Sequence, residues 1–401
     1  MTKGGRIARQ SCDIAEKTAA TSPDGEVRLW TPRSAEETMS KSSSELSQRT
    51  RSRVTPQLRA VSTAFPETWF TQQEVIDRFH ITDPRVISLF LGGEIDGRAL
   101  CLPDPGTDGF HEENQSELLA KHQRVGIELG AQAIREAVTQ AGFVLDDLGY
   151  LCCVTSTGFM APGLSAYLIK ELDLPRSCGR LDVVGMGCNA GLNGLAPVTA
   201  WSAQHPGEVA VLVCVEVCSA AYVLDDSMRS AIVNSLFGDG AAAAVVYNGD
   251  HELHDGPRII DFSSLLITES IGAMRFDWDE NKSKFSFYVD KETPYVVGAN
   301  IEKAVSRLLQ RSNLKMADID HWVVHSGGKK VVDSITYNLG LSKHDLRHTR
   351  GVLRSHGNVS SASFLVSYKR LADEGVAQPG DYGIFVTMGP GSTIETALVT
   401  W

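Results

Sequence analysis

The hydrophobic pattern of the chain contains the same α/β unit twice. In residues 127–148, apolar side chains recur with the i, i+3, i+4, i+7 spacing of an amphipathic helix, and an Asp-containing turn and a buried strand at 150–155 follow. Residues 298–319 repeat this order without a gap, and a strand at 321–326 follows them. Six apolar positions of the first copy, Ala133, Ile134, Ala137, Val138, Phe143 and Leu148, fall on Ala304, Val305, Leu308, Leu309, Leu314 and Ile319 of the second.

A second repeated pair lies downstream. Pro206-Gly207-Glu208 before an apolar strand matches Pro379-Gly380-Asp381 before another, and between the paired segments Gly185-Met186-Gly187-Cys188 corresponds to Asn358-Val359-Ser360-Ser361. These matches predict two duplicated α/β halves, at 56–255 and 256–401. The duplication should bring Cys188, His325 and Asn358 to the carboxyl ends of parallel strands, where open sheets form clefts.

Composition narrows the class of protein. The net charge of −11, from 38 basic and 49 acidic residues, argues against a nucleic-acid binder. The eight cysteines have no paired C-x-x-C spacing, which suggests reduced thiols in the cytoplasm. The most apolar stretch, 209–224, is interrupted by Glu216 and is too short to span a bilayer, so we expect no membrane association. Residues 1–55 are polar and Ser-rich and are expected to be a flexible leader.

Cys188 is the candidate nucleophile. It lies among glycines at a predicted strand-to-helix turn, with candidate partners in His325 and Asn358. A thiol is only a few per cent ionised at neutral pH, but a helix N-terminus and an adjacent imidazolium can lower its pKa by several units. The alternative is a buried, inert cysteine. The crowded glycines and the internal duplication favour the nucleophile.

Several motifs resemble one enzyme family. From residue 58 onward, the chain is similar to the type III, chalcone-synthase-like polyketide synthases. It shares with them the order Cys, His, Asn and the segments His325-Ser326-Gly327-Gly328, Phe237-Gly238-Asp239-Gly240 and Met388-Gly389-Pro390-Gly391. The resemblance implies a thiolase-like α/β fold with a five-layer αβαβα core, a homodimer, a CoA thioester substrate, and no metal or other cofactor. Residues 151–159, 185–193 and 325–331 look most similar to the bacterial 3,5-dihydroxyphenylacetyl-CoA synthases of glycopeptide-antibiotic pathways, which supply dihydroxyphenylglycine.

The resemblance also implies a mechanism. The Cys188 thiolate would attack an acyl-CoA thioester, and malonyl-CoA, as both starter and extender, would lose carbon dioxide to give an enolate that attacks the bound acyl group. His325 and Asn358 would donate hydrogen bonds to the thioester oxygen on which charge develops. The chain would then close to 3,5-dihydroxyphenylacetyl-CoA. Hydratase-like accessory enzymes are further expected partners.

The resemblance assigns weaker roles to other residues. Phe237 would be the aromatic gatekeeper between the CoA tunnel and the reaction cavity. Ala221 stands where the plant enzymes have a larger hydroxyl residue. The residues expected to line the cavity are Ser156, Thr157, Cys218, Ala221 and Ser360. The candidates to hold the CoA phosphates are Arg85, Arg98, Lys329 and Lys330, with solvated surface charges as the alternative.

Three alternatives compete with this interpretation. Gly185-x-Gly187-x-x-Ala190, with Glu216 after the next strand, fits a dinucleotide fingerprint and so an NAD-dependent oxidoreductase. A ketoacyl-ACP synthase III shares the Cys, His and Asn set but prefers acyl-carrier-protein thioesters. A non-catalytic binding or scaffold protein of the same fold is the third. The cysteine within the glycine-rich loop and the duplication weigh against the oxidoreductase.

Overall fold

Ten α-helices and thirteen β-strands are described by a computed structural model, which covers residues 55–104, 112–223, 228–249 and 256–401. The helices are α1 (Gln72–Arg78), α2 (Pro84–Leu91), α3 (Gln115–Gln140), α4 (Leu164–Glu171), α5 (Ala190–Gln204), α6 (Met228–Leu236), α7 (Thr293–Arg311), α8 (Lys329–Leu339), α9 (Arg347–His356) and α10 (Ser363–Glu374). The strands are β1 (Gln57–Ala64), β2 (Trp69–Thr71), β3 (Gly97–Ala99), β4 (Leu148–Thr155), β5 (Gly179–Val184), β6 (Val209–Glu216), β7 (Gly240–Tyr247), β8 (Arg258–Leu266), β9 (Met274–Asp279), β10 (Lys284–Val289), β11 (His321–Val324), β12 (Tyr382–Gly389) and β13 (Thr393–Thr400). The predicted leader lies, apart from Thr55, outside the described residues.

The predicted helix, turn and strand occur in both copies. Helix α3 is followed by a 3-10 turn at Leu145–Asp147 and then β4, and α7 is followed by a 3-10 turn at Met316–Asp318 and then β11. Helix α3 begins at a capping box in which Asn114 accepts from the Glu117 backbone and the Glu117 carboxylate accepts in return. Strand β11 ends at Val324, so His325 is the first residue after it.

The strand order repeats as well. The main sheet runs β11-β12-β13-β8-β1-β7-β6-β4-β5, and its two parts are joined by the single pair Gln57 and Arg258. In the first part, the parallel pair β4 and β6 is followed by the antiparallel strands β7 and β1. In the second part, the parallel pair β11 and β12 is followed by the antiparallel strands β13 and β8. Among the described strands of this sheet, only β5 has no counterpart. This repetition supports the division at 56–255 and 256–401, which remains our proposal.

Helices cover and separate the two parts of the sheet in five layers. Helices α5 and α10 pack between them, α3 and α4 cover the outer face of the first part, and α7 and α8 lie outside the second. Strand β7 illustrates the two-sided burial: Ala242, Ala244 and Val246 face the central layer, whereas the alternate residues face α3. Strands buried on both faces read as continuous apolar runs. The predicted thiolase-like fold with its αβαβα core is confirmed.

The remaining elements cover one end of this core. Helices α1, α2 and α6, strands β2 and β3, and the β9–β10 hairpin enclose a fourth apolar cluster that includes Cys188, Phe237 and Phe287. This cluster lies where β5 and β11 end and α5 begins. Among the described helices, none has the length and apolar character needed to cross a bilayer.

Candidate active site

Cys188 lies in a tight turn between β5 and α5. Gly185 and Gly187 have φ of 80° and 73°, and a side chain at Gly187 would collide with the ring of Pro390. A 3-10 turn at Gly187–Asn189 then leads into α5. The thiol is 5% exposed, and its sulfur lies 3.6 Å from Ser360 Oγ. The glycines are therefore required by the backbone that presents this sulfur.

His325 reaches the same place from the second half of the chain. Its backbone N–H donates to Val386 O at 2.9 Å, which continues the pairing of β11 with β12. The imidazole is 1% exposed and lines the same cavity as Cys188. Its Nδ1 is buried and has no hydrogen-bond partner among the described residues.

Asn358 is aimed at the sulfur by its own amide oxygen. Oδ1 accepts from the Ser360 backbone N–H at 2.8 Å, which leaves Nδ2 facing Cys188 Sγ at 4.0 Å. The prediction that Asn358 follows a parallel strand is wrong. It follows α9 through Gly357 and pairs with Phe237 in an isolated parallel bridge, and the described strands include no counterpart of β5 at this point.

Two connected spaces adjoin the three residues. A cavity of about 450 Å³ is lined by Cys188, His325 and Asn358, with Phe237 on its wall. A narrow extension of about 30 Å³ also begins at Cys188 and Phe237. It is lined by all of the residues predicted for the reaction cavity, Ser156, Thr157, Cys218, Ala221 and Ser360.

The sequence interpretation missed two aromatic side chains of the extension. Phe276 on β9 and Phe287 on β10 close it, with ring centroids 4.9 Å apart. The ring of Phe287 also meets Phe237 edge-on at 5.8 Å. The alternating aromatics of the hairpin were the available signal, but no local motif ties a hairpin to a distant cysteine.

Burial dominates the electrostatics of the site. It raises the pKa of the Cys188 thiol to about 12, although the Ser360 and Asn358 side chains partly oppose this shift. It lowers the pKa of His325 to about 3. Burial thus disfavours the thiolate of Cys188 and the imidazolium of His325 alike. Attack by the sulfur requires its proton to move away from it.

A buried carboxyl lies behind the cysteine. Glu216 is 0% exposed at the end of β6, and burial raises its pKa to about 7. Its oxygens accept from Ser156 N at 3.0 Å and from the Ser361 hydroxyl. Because these protein groups occupy it, Glu216 cannot bind a ribose as the dinucleotide-binding alternative requires.

The basic candidates separate into two groups. Arg85, Lys329 and Lys330 line the larger cavity, as does Lys291, which the sequence interpretation missed. Lys329 is paired with Asp333 at 2.8 Å and Glu94 at 3.2 Å. The placement of Arg98 among the phosphate-binding candidates is wrong. Its side chain is fully buried and bound to protein groups beneath Phe237.

A cysteine, an imidazole and a carboxamide around one cavity of a doubled α/β scaffold define a thiolase-like condensing enzyme. The chain belongs to the chalcone and stilbene synthase family, whose N-terminal domain matches residues 113–250 and whose C-terminal domain matches residues 267–400. It is therefore a type III polyketide synthase, an acyltransferase, and the oxidoreductase, carrier-protein synthase and scaffold alternatives are wrong.

Individual relatives agree with this assignment. The chain is 54% identical to a 3,5-dihydroxyphenylacetyl-CoA synthase of Streptomyces toyocaensis over 351 residues, which is 86% of this chain and 90% of that protein. The crystal structure of PKS-I from the brown alga Ectocarpus siliculosus matches with a TM-score of 0.81 at 26% identity, covering 86% of this chain and 98% of the other. The structure of 1,3,6,8-tetrahydroxynaphthalene synthase from Streptomyces coelicolor, a bacterial type III polyketide synthase, matches with a TM-score of 0.79 at 28% identity, covering 86% and 99%.

Proposed function

We propose that this enzyme condenses four malonyl-CoA units and closes the product to 3,5-dihydroxyphenylacetyl-CoA, for dihydroxyphenylglycine and glycopeptide-antibiotic biosynthesis. The observation that carries the proposal is the meeting of Cys188, His325 and Asn358 around one cavity, in a chain 54% identical to a synthase of that name. Malonyl-CoA acts as both starter and extender, and the CoA thioester is the only small molecule the reaction needs.

Loading begins at Cys188. His325 takes the thiol proton as sulfur attacks the thioester carbonyl, because burial disfavours a thiolate formed in advance. The C–S bond to CoA then breaks, CoA takes this proton from His325 and leaves as the thiol, and the acyl group stays on the sulfur of Cys188. A thiol suits this step because it attacks well and later leaves well.

Chain extension depends on His325 and Asn358 as hydrogen-bond donors. When a malonyl thioester loses carbon dioxide, the electron pair of the broken C–C bond moves onto the thioester oxygen as an enolate. The Asn358 amide already faces the sulfur, so it can donate to that oxygen without reorienting. Donors fixed before the reaction stabilise the developing charge most effectively. The enolate carbon then attacks the acyl group on Cys188.

The product structure fixes how the ring closes. Each of the four malonyl units, the starter included, loses one carbon dioxide, so the tetraketide thioester has eight carbons and ends in a methyl group. A dihydroxyphenyl ring that bears a CH2–CO–S side chain requires a bond from that methyl carbon to C3. Loss of one water and enolisation of the two remaining ketones then give the aromatic ring. Ser156, Thr157 and Ala221 border the narrow extension in which the chain would fold.

We assign CoA phosphate binding to the basic rim of the larger cavity. Lys291 and Lys330 line it, and neither forms a salt bridge with another described residue, whereas Lys329 is held by two carboxylates. Replacing Lys291 and Lys330 together with Ala should raise KM for malonyl-CoA and leave kcat near the wild-type value. An unchanged KM would place the phosphates elsewhere.

We further propose a homodimer that joins through β5. This strand is one of the two outer edges of the described sheet, and Val184 at its end, Met186 just after it and the 74% exposed Phe159 are exposed apolar side chains. Exposed edges and apolar patches favour association. Light scattering should give twice the monomer mass, and Val184→Lys should lower it. Hydratase-like partners for the loss of water, and the cytoplasmic location, stay predictions.

The decisive experiment supplies the purified enzyme with ¹³C-labelled malonyl-CoA alone and identifies products by mass spectrometry. We expect 3,5-dihydroxyphenylacetyl-CoA or its hydrolysed acid, with every carbon of the acyl part derived from malonate. Cys188→Ala should give none of it. Turnover only after a different starter is added would contradict the assignment of malonyl-CoA as starter.

A further inference from the structure

At the C-terminal end of α6, the carbonyls of residues 234–237 are all capped by groups from other parts of the chain. The last carbonyls of a helix have no partner within it. The acceptors and their donors here are Asn234 O with Arg98 Nη1 at 2.7 Å, Ser235 O with Gln72 Nε2 at 2.8 Å, Leu236 O with Asn358 N at 2.9 Å, and Phe237 O with Arg98 Nη1 at 2.7 Å and the Tyr222 hydroxyl. No carbonyl of this end is left to water.

Arg98 is the charged member of this cap. Its side chain is 0% exposed, and no carboxylate among the described residues hydrogen-bonds to it. A buried cation is costly unless its surroundings compensate the charge. Here the guanidinium faces the negative end of the α6 dipole, and Gln72 Oε1 accepts from Nη2 at 2.8 Å. Such a costly group points to a role that a neutral side chain could not fill.

The cap holds two residues of the site. Phe237 directly follows α6, and its N–H bonds back to Val233 O. Asn358 is tied to the same end, since its N–H donates to Leu236 O and its carbonyl accepts from Gly238 N at 3.0 Å. The stem of Arg98 also packs against the backbone before Asn358, because a Cβ at Gly357 would lie 2.8 Å from Arg98 Cδ.

We infer that Arg98 is a positioning residue, which sets the placement of the Asn358 amide and the Phe237 ring against Cys188 through the capped end of α6. This inference rests on the proposed function, because it uses the role of Asn358 in malonyl-CoA decarboxylation. Cys188 itself is held by the β5–α5 turn and Ser156, outside the cap. Loss of Arg98 should therefore impair decarboxylation far more than the reactivity of the Cys188 thiol.

The test measures both steps in each variant: carbon dioxide release from malonyl-CoA, and alkylation of Cys188 by iodoacetamide, followed by peptide mass spectrometry. In Arg98→Met, kcat for decarboxylation should fall roughly 10- to 100-fold, the scale expected for a misplaced catalytic group. Alkylation should slow much less, because the Asn358 amide is only a minor influence on the pKa of Cys188. The rate of decarboxylation by Arg98→Lys should be intermediate, because lysine keeps the positive charge but lacks the several N–H donors of the planar guanidinium. Arg59→Met is the matched control: Arg59 is also buried, at 7% exposure, but it donates to Gly249 O instead of to the end of α6.

The outcomes distinguish a failure of the inference about Arg98 from a failure of the proposed function. An unchanged ratio of decarboxylation to alkylation in folded Arg98→Met overturns the inference, as does an equal change of that ratio in Arg59→Met. If Arg98→Met does not fold, Tyr222→Phe decides. It removes one donor to Phe237 O, and it should lower the same ratio severalfold. A wild-type enzyme that releases no carbon dioxide from malonyl-CoA contradicts the proposed function instead.

Discussion

Replacement of Glu216 with Gln should stabilise the protein at neutral and alkaline pH. The carboxyl is fully buried, and its removal from water raises its pKa from an ordinary 4.5 to about 7. Gln can keep the two shorter hydrogen bonds: its amide oxygen can accept from Ser156 N, and its NH2 can donate to the Ser361 hydroxyl. It loses the long bond from Ser361 N at 3.4 Å. The substitution therefore removes a titrating group and keeps the packing around it.

The sign and size follow from proton linkage. Between pH 4.5 and 7 the unfolded chain ionises this group while the folded protein retains the proton, so the wild type loses stability as pH rises. Each unit of pKa difference corresponds to about 1.4 kcal/mol, which gives a total of about 3 kcal/mol. Below pH 4.5 the cost vanishes, and above pH 7 it is constant. Glu216→Gln has no ionisable group at this position, so this pH-dependent cost is absent.

Urea unfolding of both proteins at pH 5, 6, 7 and 8, at one protein concentration, measures this difference. The stability of Glu216→Gln relative to wild type should increase across the series and level off above pH 7. Glu74→Gln is the control of opposite sign, because hydrogen bonds from Thr71 lower the pKa of that exposed carboxyl. Parallel wild-type and Glu216→Gln profiles would refute the claim that the fold holds a proton on Glu216.

Three further outcomes are expected at the site. Because burial raises the pKa of Cys188 to about 12, its alkylation by iodoacetamide should accelerate about tenfold per pH unit from pH 7 to 9, and a plateau in that range would indicate a thiolate already formed. Asn358→Ala should slow malonyl-CoA decarboxylation roughly 100-fold or more, about 3 kcal/mol, and a smaller loss would remove it as a donor. Phe276→Ala should open the narrow extension and shift products toward longer chains, as read by mass spectrometry; an unchanged product set would show that Phe276 does not limit chain length.

The fold could be predicted because its signal is local and occurs twice. Helical periodicity, an Asp-containing turn and a buried strand appear in α3 to β4 and again in α7 to β11, so each copy supports the interpretation of the other. The missing counterpart of β5 could not be predicted. Asn358 aligns with a residue that follows a strand in the first copy, and only the structure shows that α9 and a bridge to Phe237 replace that strand.

The roles of charged residues were harder to predict, because burial is a property of the folded chain. From the sequence, Arg98 cannot be distinguished from an exposed basic residue. Its position at the end of α6 depends on carbonyls more than a hundred residues away. Its apolar neighbours Ala99 and Leu100 were a hint of burial. Likewise, the sequence makes Glu216 a candidate to bind a ribose. In the structure its carboxylate accepts hydrogen bonds from Ser156 and Ser361, which are 60 and 145 residues away in the chain.

The two copies of the duplicated unit contribute different residues to the site at equivalent positions. The 3-10 turn that begins α5 carries Cys188, and the equivalent turn at Ser360–Ala362 that begins α10 carries Ser361 in its place. Ser361 is fully buried and donates its hydroxyl to Glu216, behind Cys188. Two equal thiols in these turns would compete for one cavity and one acyl chain. With serine in the second copy, that turn instead satisfies a buried carboxyl whose charge would raise the pKa of Cys188 further. One of the two turns thus carries the nucleophile, and the other binds the buried carboxyl behind it.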